Sequence, residues 1–174
     1  MTTPAKSIRV VERDIELLSI AGRFRFMSPR HLGALLFPTE KAAAERCRAL
    51  VGAKLLVEVF VPVRPYSKSA RTVYALSARG ARVVSEELGE RPHHLSESER
   101  RSGLFLDHTL ARNMLYVVLE LLHRRGRLRL LSWRHAPDDV GLSAMIVEDG
   151  LQCRIPLVPD AVIVVRVDGV DELL

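Results

Sequence analysis

Apolar residues recur at helical spacing near the start of the chain, at Val11, Ile15, Leu18 and Ala21, and Gly22 suits a stop. Ser28-Pro29 then supplies an N-cap followed by proline in the first turn, opening a short helix that must end before Pro38. Thr39 is the next N-cap, and Glu40 complements the positive helix start. The third helix, residues 41–53, has a buried stripe of Ala43, Cys47, Leu50 and Val51, with Lys41, Glu45, Arg48 and Ala49 pointing the other way. Beyond it the pattern becomes strand-like over residues 55–61 and again over 71–77. The intervening PVRPYSKSA is rich in proline and serine, so the two runs predict a hairpin with a long basic tip. A fourth helix, from Ala78, closes near Gly89.

Residues 90–103 are polar, carry mixed charge with Pro92 and Gly103, and read as a linker. A long helix over 104–126 follows, with a wide stripe of Leu106, Leu110, Met114, Val117, Val118, Leu121 and Leu122. RLRLLSW, ending at Trp133, predicts a strand. Residues 136–150 read as loop around Asp138, Asp139 and Gly141, with a short apolar run from Met145 to Val147. RIPLVPDAVIVVRV, residues 154–167, reads as a strand with Pro159-Asp160 near its start, and Asp168-Gly169 marks a hairpin. The returning strand stops at Leu174, which predicts an incomplete sheet. The expected class is α+β. Residues 1–89 form a winged helix-turn-helix, read from three helices, a hairpin and a helix in that order. Residues 104–174 form a long helix with a small, incomplete, nuclease-like α/β sheet.

Charge sharpens this picture. The chain of 174 residues has 26 Lys plus Arg against 21 Asp plus Glu, a net charge of +5. Residues 1–89 hold +7, residues 90–126 hold +1 and residues 127–174 hold −3, so a polyanion is expected on the N-terminal part. No apolar run approaches the ~20 residues of a membrane span, and MTTPAKSIRV lacks a signal-peptide core. Cys47 and Cys153 form no C-x-x-C pair, and the adjacent His93 and His94 cannot face one metal, so no metal or other cofactor is expected. No phosphate-binding loop motif occurs. These features predict a cytoplasmic, nucleoid- or plasmid-associated protein.

The expected partner is double-stranded DNA. Lys41, Glu45, Arg46 and Arg48 on the third helix would meet phosphates or base edges in the major groove. Ser28 and Arg30 at the second helix start would fix a phosphate. Arg64, Lys68 and Arg71 would bring the wing to the backbone or minor groove, with Tyr66 packing on a sugar. The wide apolar stripe of the long helix predicts a homodimer.

Two motifs carry a resemblance. Tyr74-Ala75-Leu76-Ser77-x-x-Gly80 resembles the seam where a wing returns into the next helix of winged-helix proteins. Leu106-Asp107-His108-x-Leu110-x-x-Asn113, then Trp133 on a strand and Pro159-Asp160-Ala161 opening another, resemble the replication-relaxation family of bacterial and plasmid proteins over roughly residues 12–170. The resemblance implies a DNA-binding protein of plasmid or mobile-element replication and DNA relaxation. It marks Asp107, His108, Asn113, Trp133 and Asp160 as family-motif positions. Where that family continues into an acidic E-x-D-x-G-T segment, this chain has Asp171-Glu172-Leu173-Leu174.

Two alternatives stand beside this reading. One is a transcriptional regulator with a dimerising second half. The other is the N-terminal part of a PD-(D/E)xK-like nuclease, with Asp160 as first metal ligand and Glu172 near the second. Leu174 stands where the nuclease lysine would be, so no catalytic residue is assigned in this chain. His108 and Asn113, five apart on one helix, do not share a face, and His108 is expected to serve helix packing or an inter-strand hydrogen bond rather than catalysis.

Overall fold

A computed structural model of the chain describes residues 8–61, 71–96, 106–135, 142–148, 151–157, 159–167 and 170–173. The elements are α1 (Glu12–Phe24), α2 (Pro29–Leu36), α3 (Glu40–Gly52), β1 (Leu56–Val61), β2 (Arg71–Leu76), α4 (Ala78–Leu88), α5 (Leu106–Arg124), β3 (Arg129–His135), β4 (Leu142–Glu148), β5 (Leu151–Leu157), β6 (Ala161–Val167) and β7 (Val170–Leu173). The mixed α+β class is as expected. Two compact units form, Met1–Val117 and Val118–Leu174, so α5 contributes residues 106–117 to the first. Among the described residues no helix is long and apolar enough to cross a membrane.

Short-range side-chain hydrogen bonds start α2, α3 and α4 where the sequence places them. Ser28 Oγ accepts from His31 N at 3.3 Å, Thr39 Oγ1 from Ala42 N at 3.1 Å and Ser77 Oγ from Gly80 N at 2.9 Å. The core gathers Leu17, Leu18, Phe24, Met27, Leu32, Cys47, Leu50, Val73 and Val84, all fully buried. The stripe of α1 differs from the expected one. Leu18 and Ala21 are buried as expected, but Val11 is 46% exposed, Ile15 is half-buried, and Asp14, Leu17 and Phe24 are buried as well. A carboxylate has been drawn inside, which apolar periodicity alone does not anticipate. β1 and β2 pair antiparallel from Leu56↔Leu76 to Val61↔Arg71. The seam after β2 has a steric reason: a Cβ at Gly80 would lie 2.2 Å from the Leu55 carbonyl oxygen.

The link from α1 to α2 is the most constrained backbone of this unit. Arg25 adopts φ 63°, ψ −51°, and Phe26 N–H donates to Phe24 O at 2.7 Å, which makes a γ-turn of the rare, strained hand. Such a conformation costs on the order of 1–3 kcal/mol unless its surroundings over-determine it. Asn113 of α5 provides that. It is fully buried, and its Nδ2 donates to Phe24 O at 3.0 Å and to Phe26 O at 2.7 Å. Both partners are carbonyls, so the amide orientation is fixed. Immediately after the turn, Met27 exchanges two backbone hydrogen bonds with Tyr74, at 2.9 and 2.8 Å, which ties the link to β2. Leu106 and Leu110, two turns and one turn before Asn113, pack on Val73 with Phe26 and Val59, and Tyr116 stacks against Phe24 with ring centroids 4.3 Å apart.

In the second unit the sheet order is β3-β6-β7, antiparallel throughout. A bulge between Leu130 and Ser132 lets both Leu130 and Trp133 face one cluster with Leu119, Ile163 and Val165. Residues 142–157 depart from expectation. Where a loop was expected, β4 pairs with β5 from Leu142↔Leu157 to Glu148↔Leu151, and the run expected as one strand over 154–167 is divided into β5 and β6. The continuous run Met145-Ile146-Val147 hides the alternation of LSAMIVE, and Asp149-Gly150 is a hairpin dipeptide between two alternating runs.

Replacing Asn113 by Ala should remove the donor from both the buried Phe24 carbonyl and the half-buried Phe26 carbonyl and cost roughly 2–3 kcal/mol. Urea unfolding followed by circular dichroism checks this. A loss below about 0.5 kcal/mol, the range of an ordinary surface substitution, would show that the amide is not restraining the turn.

Candidate nucleic-acid interface

Helix α3 buries Ala43, Cys47 and Leu50 and exposes Lys41, Glu45 and Arg48, which lie at i, i+4 and i+7 along one side. Burial pushes the Cys47 thiol up to about 12, so it packs as a small apolar group and is not nucleophilic at neutral pH. Arg46 is used differently from its neighbours. Its Nε donates to Asp14 Oδ1 at 2.7 Å, its Nη2 pairs with Asp14 Oδ2, and the same nitrogen donates to Arg9 O at 2.9 Å. Asp14 is 1% exposed, and its Oδ2 also accepts from Val11 N at 2.8 Å. The carboxylate raises the Arg46 pKa through this hydrogen bonding, and the pair fixes α3 on the start of α1. Sequence reasoning places Arg46 with the outward basic residues because its partner lies 32 positions away.

The start of α2 opens onto a cleft of about 630 Å³ that brings Ser28 and Arg30 together with His31, Glu40, Thr72 and Asp107. Leu110, Ala111 and Met114 of α5 supply its apolar lining. Arg30 is exposed and Ser28 half-buried. His31, which sequence reasoning missed, is 3% exposed, and its Nδ1 accepts from Ser28 N at 3.2 Å. Burial, and then the neighbouring Arg30 charge, lower its pKa to about 4, so the ring is neutral at neutral pH. The S-x-x-H order is a histidine version of the capping box, the signal that could have found it. Arginine and a helix N-terminus thus share the cleft with two carboxylates.

Of the wing residues, Arg71 is the first residue of β2, and Arg64, Tyr66 and Lys68 lie outside the described residues. The motif residues on α5 separate by face. Leu106, Leu110 and Asn113 form the buried stripe, Asp107 is half-buried at the cleft, and His108 is exposed. In the second unit Trp133 packs in the Ile163–Val165 cluster and donates from Nε1 to His135 Nδ1 at 3.4 Å, while Asp160 is exposed. The strand register bears on the nuclease alternative. Glu172 pairs opposite Val165, five residues along from Asp160, or roughly 16 Å at a strand's rise. That separation is too long for the two to share one metal ion. Among the described residues no cluster of three or more His, Cys, Asp or Glu could hold a metal.

The fold defines a mixed α+β protein in which Leu106, Leu110 and Asn113 of the motif form the buried side of α5. The family model described as replication-relaxation matches residues 18–174, nearly the whole chain. The chain belongs to the replication-relaxation family, and that membership supports a role related to plasmid or mobile-element replication. No curated protein and no solved structure matches the chain.

Because Asp14 is buried, Arg46→Ala should destabilise the first unit by about 3 kcal/mol by leaving that carboxylate uncompensated. Replacing the pair together by Asp14→Leu and Arg46→Met should cost less than Arg46→Ala alone. Thermal unfolding of the variants tests both. An Arg46→Ala protein of unchanged stability would assign the side chain to the surface after all.

Proposed function

We propose that the protein is a winged-helix, double-stranded-DNA-binding protein acting in plasmid or mobile-element replication and DNA relaxation. The observation that carries this reading is the exposed row of Lys41, Glu45 and Arg48 on a helix locked from behind by Asp14 and Arg46. In this reading α3 enters the major groove, where Arg48 pairs with a guanine edge in two-point fashion and Lys41 meets a phosphate. Glu45 accepts from a cytosine amino group and adds discrimination. Arg30 and the start of α2, capped by Ser28, hold a neighbouring phosphate. Arg64, Tyr66, Lys68 and Arg71 bring the wing to the backbone or minor groove. Family membership supports the assignment, as does the +7 charge of residues 1–89.

Fluorescence anisotropy with mixed-sequence duplexes at several salt concentrations tests the reading. With about six phosphates neutralised, log K should fall against log salt with a slope near −5. Lys41→Ala with Arg48→Ala should weaken binding at least about tenfold while the fold stays intact. Absence of binding at low salt would overturn it.

We also propose a homodimer. Leu106, Leu110 and Val117 are buried, so part of the long apolar stripe is used within the chain. Leu115 and Val118, 47% and 45% exposed, remain adjacent on α5 and are the proposed contact. Light scattering at micromolar concentration should give twice 19.5 kDa, and Val118→Glu should return the protein to monomer. A constant mass of 19.5 kDa would exclude the dimer.

A further inference from the structure

The +1 charge of residues 90–126 and the −3 charge of residues 127–174 conceal a local excess of positive charge where the two segments meet. Residues 118–135 contain Arg124, Arg125, Arg127, Arg129 and Arg134 against one acid, Glu120. Glu120 is already engaged, accepting from Arg124 Nε at 2.8 Å. Arg125, Arg127, Arg129 and Arg134 are all exposed.

The backbone presents these side chains in a defined way. Helix α5 ends in a Schellman turn: Gly126 N–H donates to His123 O at 2.9 Å and Arg127 N–H donates to Leu122 O at 2.9 Å. Gly126 has φ +67°, a left-handed value that glycine adopts without strain. The turn sets Arg125 just before the reversal and Arg127 just after it, two residues ahead of β3. A charge at a helix C-terminus complements the helix dipole, which accounts for Arg124 and Arg125 but not for arginines beyond the helix. On β3, Leu130 and Trp133 face the apolar cluster, so Arg129 and Arg134 stand on the opposite face. Arg129 lies directly opposite Arg166 on β6, and the next position across the sheet is Asp171 on β7. Two like charges opposite one another destabilise an antiparallel pair. By register, that line across the sheet holds two arginines and one acid among the described residues.

We propose that this arginine surface is a second contact for the phosphate backbone of duplex DNA, independent of α3. All five cations are arginine, whose planar guanidinium binds phosphate in two-point fashion better than an ammonium does. The choice of DNA as the polyanion rests on the reading above. The surface contacts phosphates and adds affinity without reading bases.

The test uses the full chain and a 20-bp mixed-sequence duplex, titrated by anisotropy between 50 and 200 mM KCl. Arg125→Ala, Arg127→Ala and Arg129→Ala combined should weaken binding about tenfold at the lower salt. They should also make the salt slope shallower by about 2–3, with the unfolding midpoint unchanged. If that variant does not fold, Arg127→Glu alone, in the exposed turn, should still weaken binding. Wild-type affinity and slope in these variants, with binding lost in the Lys41→Ala, Arg48→Ala protein, would overturn this proposal and leave the α3 reading intact. The converse result would support it and remove α3. A chain that binds no DNA overturns both. An effect seen only on phosphatidylserine vesicles, with DNA binding unchanged, also overturns it.

Discussion

A single buried amide governs how the first unit is assembled. The link between α1 and α2 is too short to turn smoothly, and it passes through a left-handed residue, Arg25, that carries a side chain. Asn113 compensates by donating to carbonyls on both sides of that residue. Because Met27 then bonds to Tyr74, the same short segment sets where α2 begins and where it meets β2. The Leu-x-x-x-Leu-x-x-Asn spacing places Leu106, Leu110 and Asn113 on one buried stripe. Two apolar contacts seat the helix, and the polar one specifies the register, since only one position along α5 puts an amide between Phe24 O and Phe26 O. The Asn113 Nδ2 is satisfied by the two carbonyls while its buried Oδ1 has no hydrogen-bond partner among the described residues, so a shift along α5 would orphan the donor as well and is penalised more than a misplaced leucine.

Charge is arranged by a comparable division of labour. Arg46 belongs to the same helix turn as Glu45 and Arg48, but it is turned inward to neutralise Asp14. That ion pair contributes modest net stability, because two charges must be desolvated to form it. Its consequence is positional: α3 cannot rotate about its axis without exposing or orphaning the Asp14 carboxylate. The outward row of Lys41, Glu45 and Arg48 is thereby held at a fixed orientation, a requirement of any helix that reads an extended polyanion.

Much of the first unit was legible from sequence because its boundaries are set by local chemistry. Ser28, Thr39 and Ser77 each bond to a backbone amide three residues on, so their positions mark helix starts directly. What escaped depends on partners remote in sequence. Asp14 broke the expected phase of α1, since its counter-ion lies on another helix. Asn113 was visible as a motif residue, but nothing in the sequence announces a γ-turn at Arg25. In the second unit, the β4–β5 pairing is obscured by the consecutive apolar residues Met145, Ile146 and Val147. The arginines after α5 were hidden by averaging charge over a long acidic segment. Asp160 and Glu172 were legible as residue types, but their separation depends on the β6–β7 register, which the chain order does not give.

The most direct test of the central claim is nitrogen-15 NMR of the full chain titrated with a duplex DNA. The account predicts that backbone amide signals of Lys41, Glu45 and Arg48 shift with saturation while the Arg46 Nε–H signal, held by Asp14, stays in place. Shifts absent from α3, or an Arg46 side-chain signal that moves with the DNA while Lys41 and Arg48 do not, would contradict it.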